Sequence, residues 1–169
     1  MTVKPEAVSP PKPPKDQKDL PEELSLEFHP LENLFYLGYA ESPIIEVFKE
    51  DTVELKVQFR TLTPLEIRDI TEAISLYDSS PAQMITERIE TLARSIISIN
   101  HMPLILTTKE RQEFYEKNGR NPSPLEMSKI ILQEKIRSMV VIDAIYEKYL
   151  EFSDSILNDL EKIKKKSNN

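Results

Sequence analysis

The 169-residue chain contains no cysteine, which excludes a disulfide framework, thiolate metal ligation and thiol redox chemistry, and suits a cytosolic history. Glycine is nearly absent, with only Gly38 and Gly119. Phosphate-cradling loops need several glycines so that backbone can approach the ligand, so Walker-type and dinucleotide-binding readings fail. His29 and His101 are the only histidines, neither has a carboxylate at metal-ligand spacing, and both read as structural. No Gly-x-Ser-x-Gly occurs, and two histidines give little on which to build a Ser-His-Asp triad. Long apolar runs are missing too. None nears the roughly 18 residues that span a bilayer, and Met1 to Pro14 is prolyl and polar where a signal peptide is apolar. The expectation is a soluble, unexported protein that is not an enzyme and holds neither cofactor nor metal.

At 39% hydrophobic residues, the chain can bury one modest core, which suits a single domain with arms. Charge is segregated. Residues 1 to 18 carry Lys4, Lys12, Lys15 and Lys18 against Glu6 and Asp16, and 161 to 169 carry Lys162, Lys164, Lys165 and Lys166 against Glu161. Those ends are +2 and +3, so of the net −7 the stretch 19 to 160 holds −12. Such a body repels phosphate, no aromatic interleaves the lysines, and Asp154, Asp159 and Glu161 interrupt any basic helix face, which argues against nucleic-acid and membrane partners. The basic ends read either as solubilising tails or as contacts to acidic protein neighbours, copies of this chain included.

Seven of the 13 prolines fall in the first 30 residues, and Pro10, Pro11, Pro13 and Pro14 with Lys12 and Lys15 predict an extended arm over 1 to 25. Between 26 and 60 lie Phe28, Phe35, Tyr36, Tyr39, Phe48 and Phe59, half of all aromatics, which predicts a packing or docking segment. Val53, Leu55, Val57 and Phe59 alternate with polar residues and predict a strand, with Ile44 to Lys49 as its hairpin partner across Glu50-Asp51.

A helical domain is expected over 61 to 163, followed by a basic tail over 164 to 169. Thr63-Pro64-Leu65-Glu66 spells a capping box that starts a helix at Pro64, with Ile67, Ile70, Ile74 and Tyr77 as its apolar stripe, ending near Asp78. Ser80-Pro81 opens a second helix, whose Met84, Ile85, Arg88, Ile89, Leu92, Ala93, Ile96 and Ile99 show a broad apolar face and which is expected to end at Asn100 to Pro103. Thr107 and Glu110 cap a short charged helix that stops at Asn118-Gly119, and Ser123-Pro124-Leu125-Glu126 repeats the start signal. Beyond Pro124 there is neither Pro nor Gly, which predicts one helix of about 35 to 40 residues toward Ile163. Its apolar residues Ile142, Ile145, Tyr149, Phe152, Ile156 and Leu160 are spaced by threes and fours and fit a helical neighbour, either this protein's own or another molecule's. The fold expected is mainly α with a small β-hairpin, a helical bundle with a long C-terminal helix and an extended Pro-rich arm. Phe28, Phe35, Tyr36 and Tyr39, with the six stripe residues, are the expected protein-interface residues.

The run Val57-Gln58-Phe59-Arg60-Thr61-Leu62-Thr63-Pro64-Leu65-Glu66, a strand passing into a capped helix, resembles small tail-morphogenesis proteins of tailed bacteriophages. Leu92-Ala93-Arg94-Ser95-Ile96-Ile97-Ser98-Ile99-Asn100 and the segment Val141 to Leu150 resemble further patterns of those proteins, so that the likeness spans about 57 to 152. Where they often carry Gly after the Ser-Ile-Asn position, this chain has His101-Met102-Pro103, and the arm is outside the pattern. The resemblance implies a structural subunit of the tail or baseplate, or a transient chaperone for the tape-measure protein. Partners would be other tail or baseplate proteins, with self-association possible, in the virion or in host cytoplasm during assembly. A helical adaptor of cellular origin is the alternative.

Overall fold

Leu55, Val57 and Phe59, spaced by twos, put one face of a strand inside the protein, and the rest of the fold is arranged on that face. The computed structural model describes Leu31, Leu34 and residues 37–167; the arm over 1–25 and the residues Phe28, His29, Phe35 and Tyr36 lie outside the described residues. Strand β1, Ile45–Glu50, and strand β2, Val53–Phe59, form the expected hairpin, with Ile45 opposite Val57 and Glu50 opposite Val53. Val53, beside the turn, is exposed.

Helix α1, Pro64–Ser75, starts at the Thr63 capping box, and helix α2, Ser80–Ser95, follows a short turn. Of the stripe expected on α1, Ile70 is buried whereas Ile67 and Tyr77 are about half exposed. The cap of α2 is Ser79 and not Ser80, and no side chain satisfies it; the Gln83 amide instead donates to the Tyr77 carbonyl at 2.7 Å.

The second helix ends earlier than its apolar run suggests. Ile96–Ile99 is a third strand, β3, antiparallel to β2, with Ile99 opposite Val57. β-Branched isoleucines pack well on a pleated surface, and pairing with β2 overrides continuation of the helix. The switch from α2 to β3 takes no loop at all: the Ser95 carbonyl accepts from Arg60 N at 2.8 Å as the helix gives way to the strand. β3 then turns at Asn100 and His101, both at positive φ (48° and 64°), a two-residue turn in which Ile99 and Met102 exchange backbone hydrogen bonds of 2.9 Å. The Asn100 side chain serves as one more rung: its Oδ1 accepts from Lys56 N at 2.8 Å and its Nδ2 donates to Glu54 O at 3.0 Å.

Helix α3, Thr108–Asn118, has the expected capping box at Thr107 and ends on Gly119, whose φ of 71° is the left-handed conformation that glycine adopts without steric cost. Helix α4, Pro124–Ile130, starts at the Ser123 box. The single long helix expected from Pro124 is broken. A π-helical turn, Ile131–Lys135, follows α4, Ile136 leaves helical geometry at φ −93° and ψ 72°, and helix α5 runs over Met139–Ser167. No Pro or Gly enforces the break. Packing does: Leu132 and Ile142, on either side of it, are both 1% exposed and join one core.

That core lies between the sheet, α2 and α5. Ile142, Ile145, Tyr149, Phe152 and Ile156 are buried in it, Leu160 packs against it, and the rings of Phe59 and Tyr149 meet edge to face at 5.8 Å. Leu31 is buried in the same cluster. The architecture is α+β, mainly helical, with a small antiparallel sheet in the order β1-β2-β3 and a long C-terminal helix.

Candidate docking groove

The six residues of the long-helix stripe are not a free surface. Five are buried within the protein's own core and Leu160 is partly buried, so the stripe expected to meet a partner meets the sheet and α2 instead. Tyr39 is half-buried beneath the Arg60 guanidinium, 5.3 Å from its ring centre, and Phe28, Phe35 and Tyr36 lie outside the described residues. An interface must be sought elsewhere.

Three exposed apolar side chains meet near the break: Tyr77 just after α1, Ile85 in the early turns of α2, and Met139 at the start of α5. Between them runs a groove with two lobes that share Ile85, Ile89 and Gln133. One lobe, of about 270 Å³, is bounded by Tyr77 and Ala82; the other, of about 210 Å³, by Leu132, Ile136, Met139 and Ile142. The sequence explains the apolar wall. On α2 the positions 85, 89 and 92 lie on one side, but only Ile89 and Leu92 are needed to fill the core, and Ile85 is left 45% exposed. The broad apolar face of this helix was the legible signal for the groove.

Polar side chains share the lining of the groove: Gln133 lies in both lobes, Thr86 and Glu90 in one and Arg137 in the other. Glu90 is buried and held by Arg94 and by Lys129 from α4. Burial pushes its carboxyl pKa up, but the hydrogen bonds from Arg94 and Lys129 outweigh that and hold it below the ordinary carboxylate range. On the α5 side, Arg88 Nε lies 2.9 Å from Asp143 Oδ1 in an ion pair poorly aligned for a hydrogen bond, and the same guanidinium covers the Tyr146 ring at 5.8 Å. The Tyr146 hydroxyl donates to Glu87 at 3.3 Å; burial first, and then the Glu87 charge, raise its pKa. Glu87 and Glu90 are thus both bound in structural contacts, as is Glu110, which closes the Thr107 capping box and pairs with Lys135.

His101 is exposed in the β3 turn, and among the described residues no group of three or more His, Asp or Glu side chains is placed to hold a metal ion. Among the described residues no helix is long and apolar enough to cross a membrane. No family model, curated protein or solved structure matches the chain.

Proposed function

We propose that this protein is a non-enzymatic structural or assembly protein of a bacteriophage tail that binds a neighbouring tail protein in the groove between α2 and the α4–α5 break. The observation that carries the reading is the open, mostly apolar groove, formed where the long helix is interrupted and lined by Tyr77, Ile85, Ile89 and Met139. Contiguous exposed apolar surface of this kind marks protein-interaction sites, and an amphipathic helix laid into a groove is the economical way to cover it. The link to phage tails rests on the resemblance of the motifs at Val57 to Glu66, Leu92 to Asn100 and Val141 to Leu150. The neighbour is another tail or baseplate protein if the subunit is retained in the virion, and the tape-measure protein if it acts as a chaperone in host cytoplasm.

Mass spectrometry of purified particles, beside a tagged pull-down from the lysate, tests this. Fixed stoichiometry in particles identifies a retained subunit. Absence from particles together with capture of the tape-measure protein identifies a chaperone, and absence from both overturns the tail reading. Ile85→Asp is expected to leave the circular dichroism spectrum unchanged and to reduce capture at least tenfold; undiminished capture would remove the groove from the interface.

A further inference from the structure

β1 is the open edge of the sheet. The strand order is β1-β2-β3, and among the described residues no hydrogen bond reaches the backbone of Ile45–Glu50 from outside β2. The opposite edge is less inviting, because β3 has only four residues and its end folds back on Met102. An unpaired edge is a template for another strand.

Two charged residues mark that edge. In a regular strand, positions 46 and 49 point to opposite faces. A bulge between Glu46 and Phe48 shifts the register, so that Glu46 stands opposite Lys56 and Lys49 opposite Glu54. Lys56 and Glu54 are two apart on β2 and share its solvent face, so Glu46 and Lys49 share that face as well. Neither charge is firmly held. Lys56 turns to Glu54 at 2.9 Å, which leaves Glu46 without an ion pair among the described residues. Lys49 reaches Glu54 only at 3.8 Å, with its side chain 66% exposed. On the other face Ile45, Val47 and Phe48 pack against the core and stay partly exposed.

We propose that the partner of this edge is a second copy of the chain, joined β1 to β1 in antiparallel order about a two-fold axis that passes between residues 47 and 48. That register is self-complementary: Glu46 of each copy stands opposite Lys49 of the other, so two ion pairs flank the axis. Across the joint sheet the charged row reads Lys56 and Glu46 from one copy, then Lys49 and Glu54 from the other, alternating in sign throughout. On the core side Val47 and Phe48 of one copy meet Phe48 and Val47 of the other and cover apolar surface that a lone edge exposes. A slip of one residue would bring Lys49 opposite Ile45 or Val47 and forfeit both pairs. The joint sheet is independent of the groove, and the purified full chain suffices to test it.

Sedimentation velocity in about 0.15 M salt, where charges beyond ~8 Å are screened, blunts the mutual repulsion of chains at net −7 and leaves close pairs intact. Under those conditions the wild type should dimerise at tens of micromolar. Glu46→Lys sets lysine against lysine in both pairs, and Lys49→Glu sets glutamate against glutamate, so each variant alone should dimerise roughly tenfold more weakly. Mixed in equal amounts, the two variants should recover the wild-type affinity, because both pairs are again of opposite sign. A monomeric wild type, a dimer indifferent to both variants, or a mixture as weak as its components would each overturn the proposal. Both side chains are exposed, so circular dichroism should show both variants folded. Should either fail to fold, hydrogen exchange of the wild type decides: β1 amides must exchange more slowly in concentrated than in dilute protein, and equal rates would overturn the pairing.

Discussion

Three glutamates, Glu66, Glu110 and Glu126, each close a capping box, and each is held at a pKa of about 2. For Glu66 burial pushes the value up, and the hydrogen bonds from Arg60 and Thr63 overcome it; for Glu110 the Thr107 hydroxyl leads, and for Glu126 the Arg120 guanidinium. Arg60 grips both oxygens of Glu66 at 2.5 and 3.0 Å, with both side chains mostly out of solvent. A carboxylate pKa lowered by folding contributes stability that is complete above the unfolded value of 4.5 and is lost as pH falls toward 2. Glu66→Gln is therefore expected to cost ~2 kcal/mol at pH 7 and almost nothing near pH 2, so that its urea midpoint changes less than the wild type's over that window. Equal acid sensitivity of the two proteins would refute this role. Asn100 is the second residue whose chemistry is spent locally, since its amide bonds β2 from a backbone at φ 48°. Asn100→Ala forfeits both bonds and keeps the strained φ, an expected loss of ~2 kcal/mol measurable by thermal unfolding.

At the scale of elements, helix starts were the most legible feature of the sequence. Thr63, Thr107 and Ser123 cap where their spacing to a glutamate says they should, because a capping box is a contact between residues three apart and needs no help from the fold. Helix ends without a local signal were not legible. α2 stops at Ser95 only because β2 offers Ile96–Ile99 a strand to pair with, and α5 is separated from α4 only because Leu132 and Ile142 reach the same core from two directions. The groove shared this fate, being made by the bend, although the excess apolar width of α2 announced half of it. α3 stands apart, since none of its residues is buried and its hold on the body comes from Phe114, half-buried, and the Glu110–Lys135 ion pair. Its amides should exchange with solvent far faster than those of α2 or β2, and hydrogen exchange followed by mass spectrometry will rank them. Comparable protection would mean that α3 is held by contacts other than these.

For the whole molecule, the stripe on α5 changes the meaning of an obvious experiment. Tyr149 and Ile156, at 5% and 6% exposure, are structural, and a charge there would unfold the domain and not merely blunt a surface. Ile156→Asp is expected to lose the cooperative thermal transition, whereas Ile85→Asp should keep it within about 1 kcal/mol of wild type. The loop-free passage from α2 into β3 bears on how such a molecule comes into being. β1 and β2 are neighbours along the chain and pair as a hairpin, but β3 reaches β2 only after α1 and α2 have been laid down between them. Contacts distant in sequence close late. On a ribosome, the β2 edge at Val57 and Phe59 therefore emerges well before the strand that covers it, and for that interval a nascent chain offers its neighbours an unguarded strand.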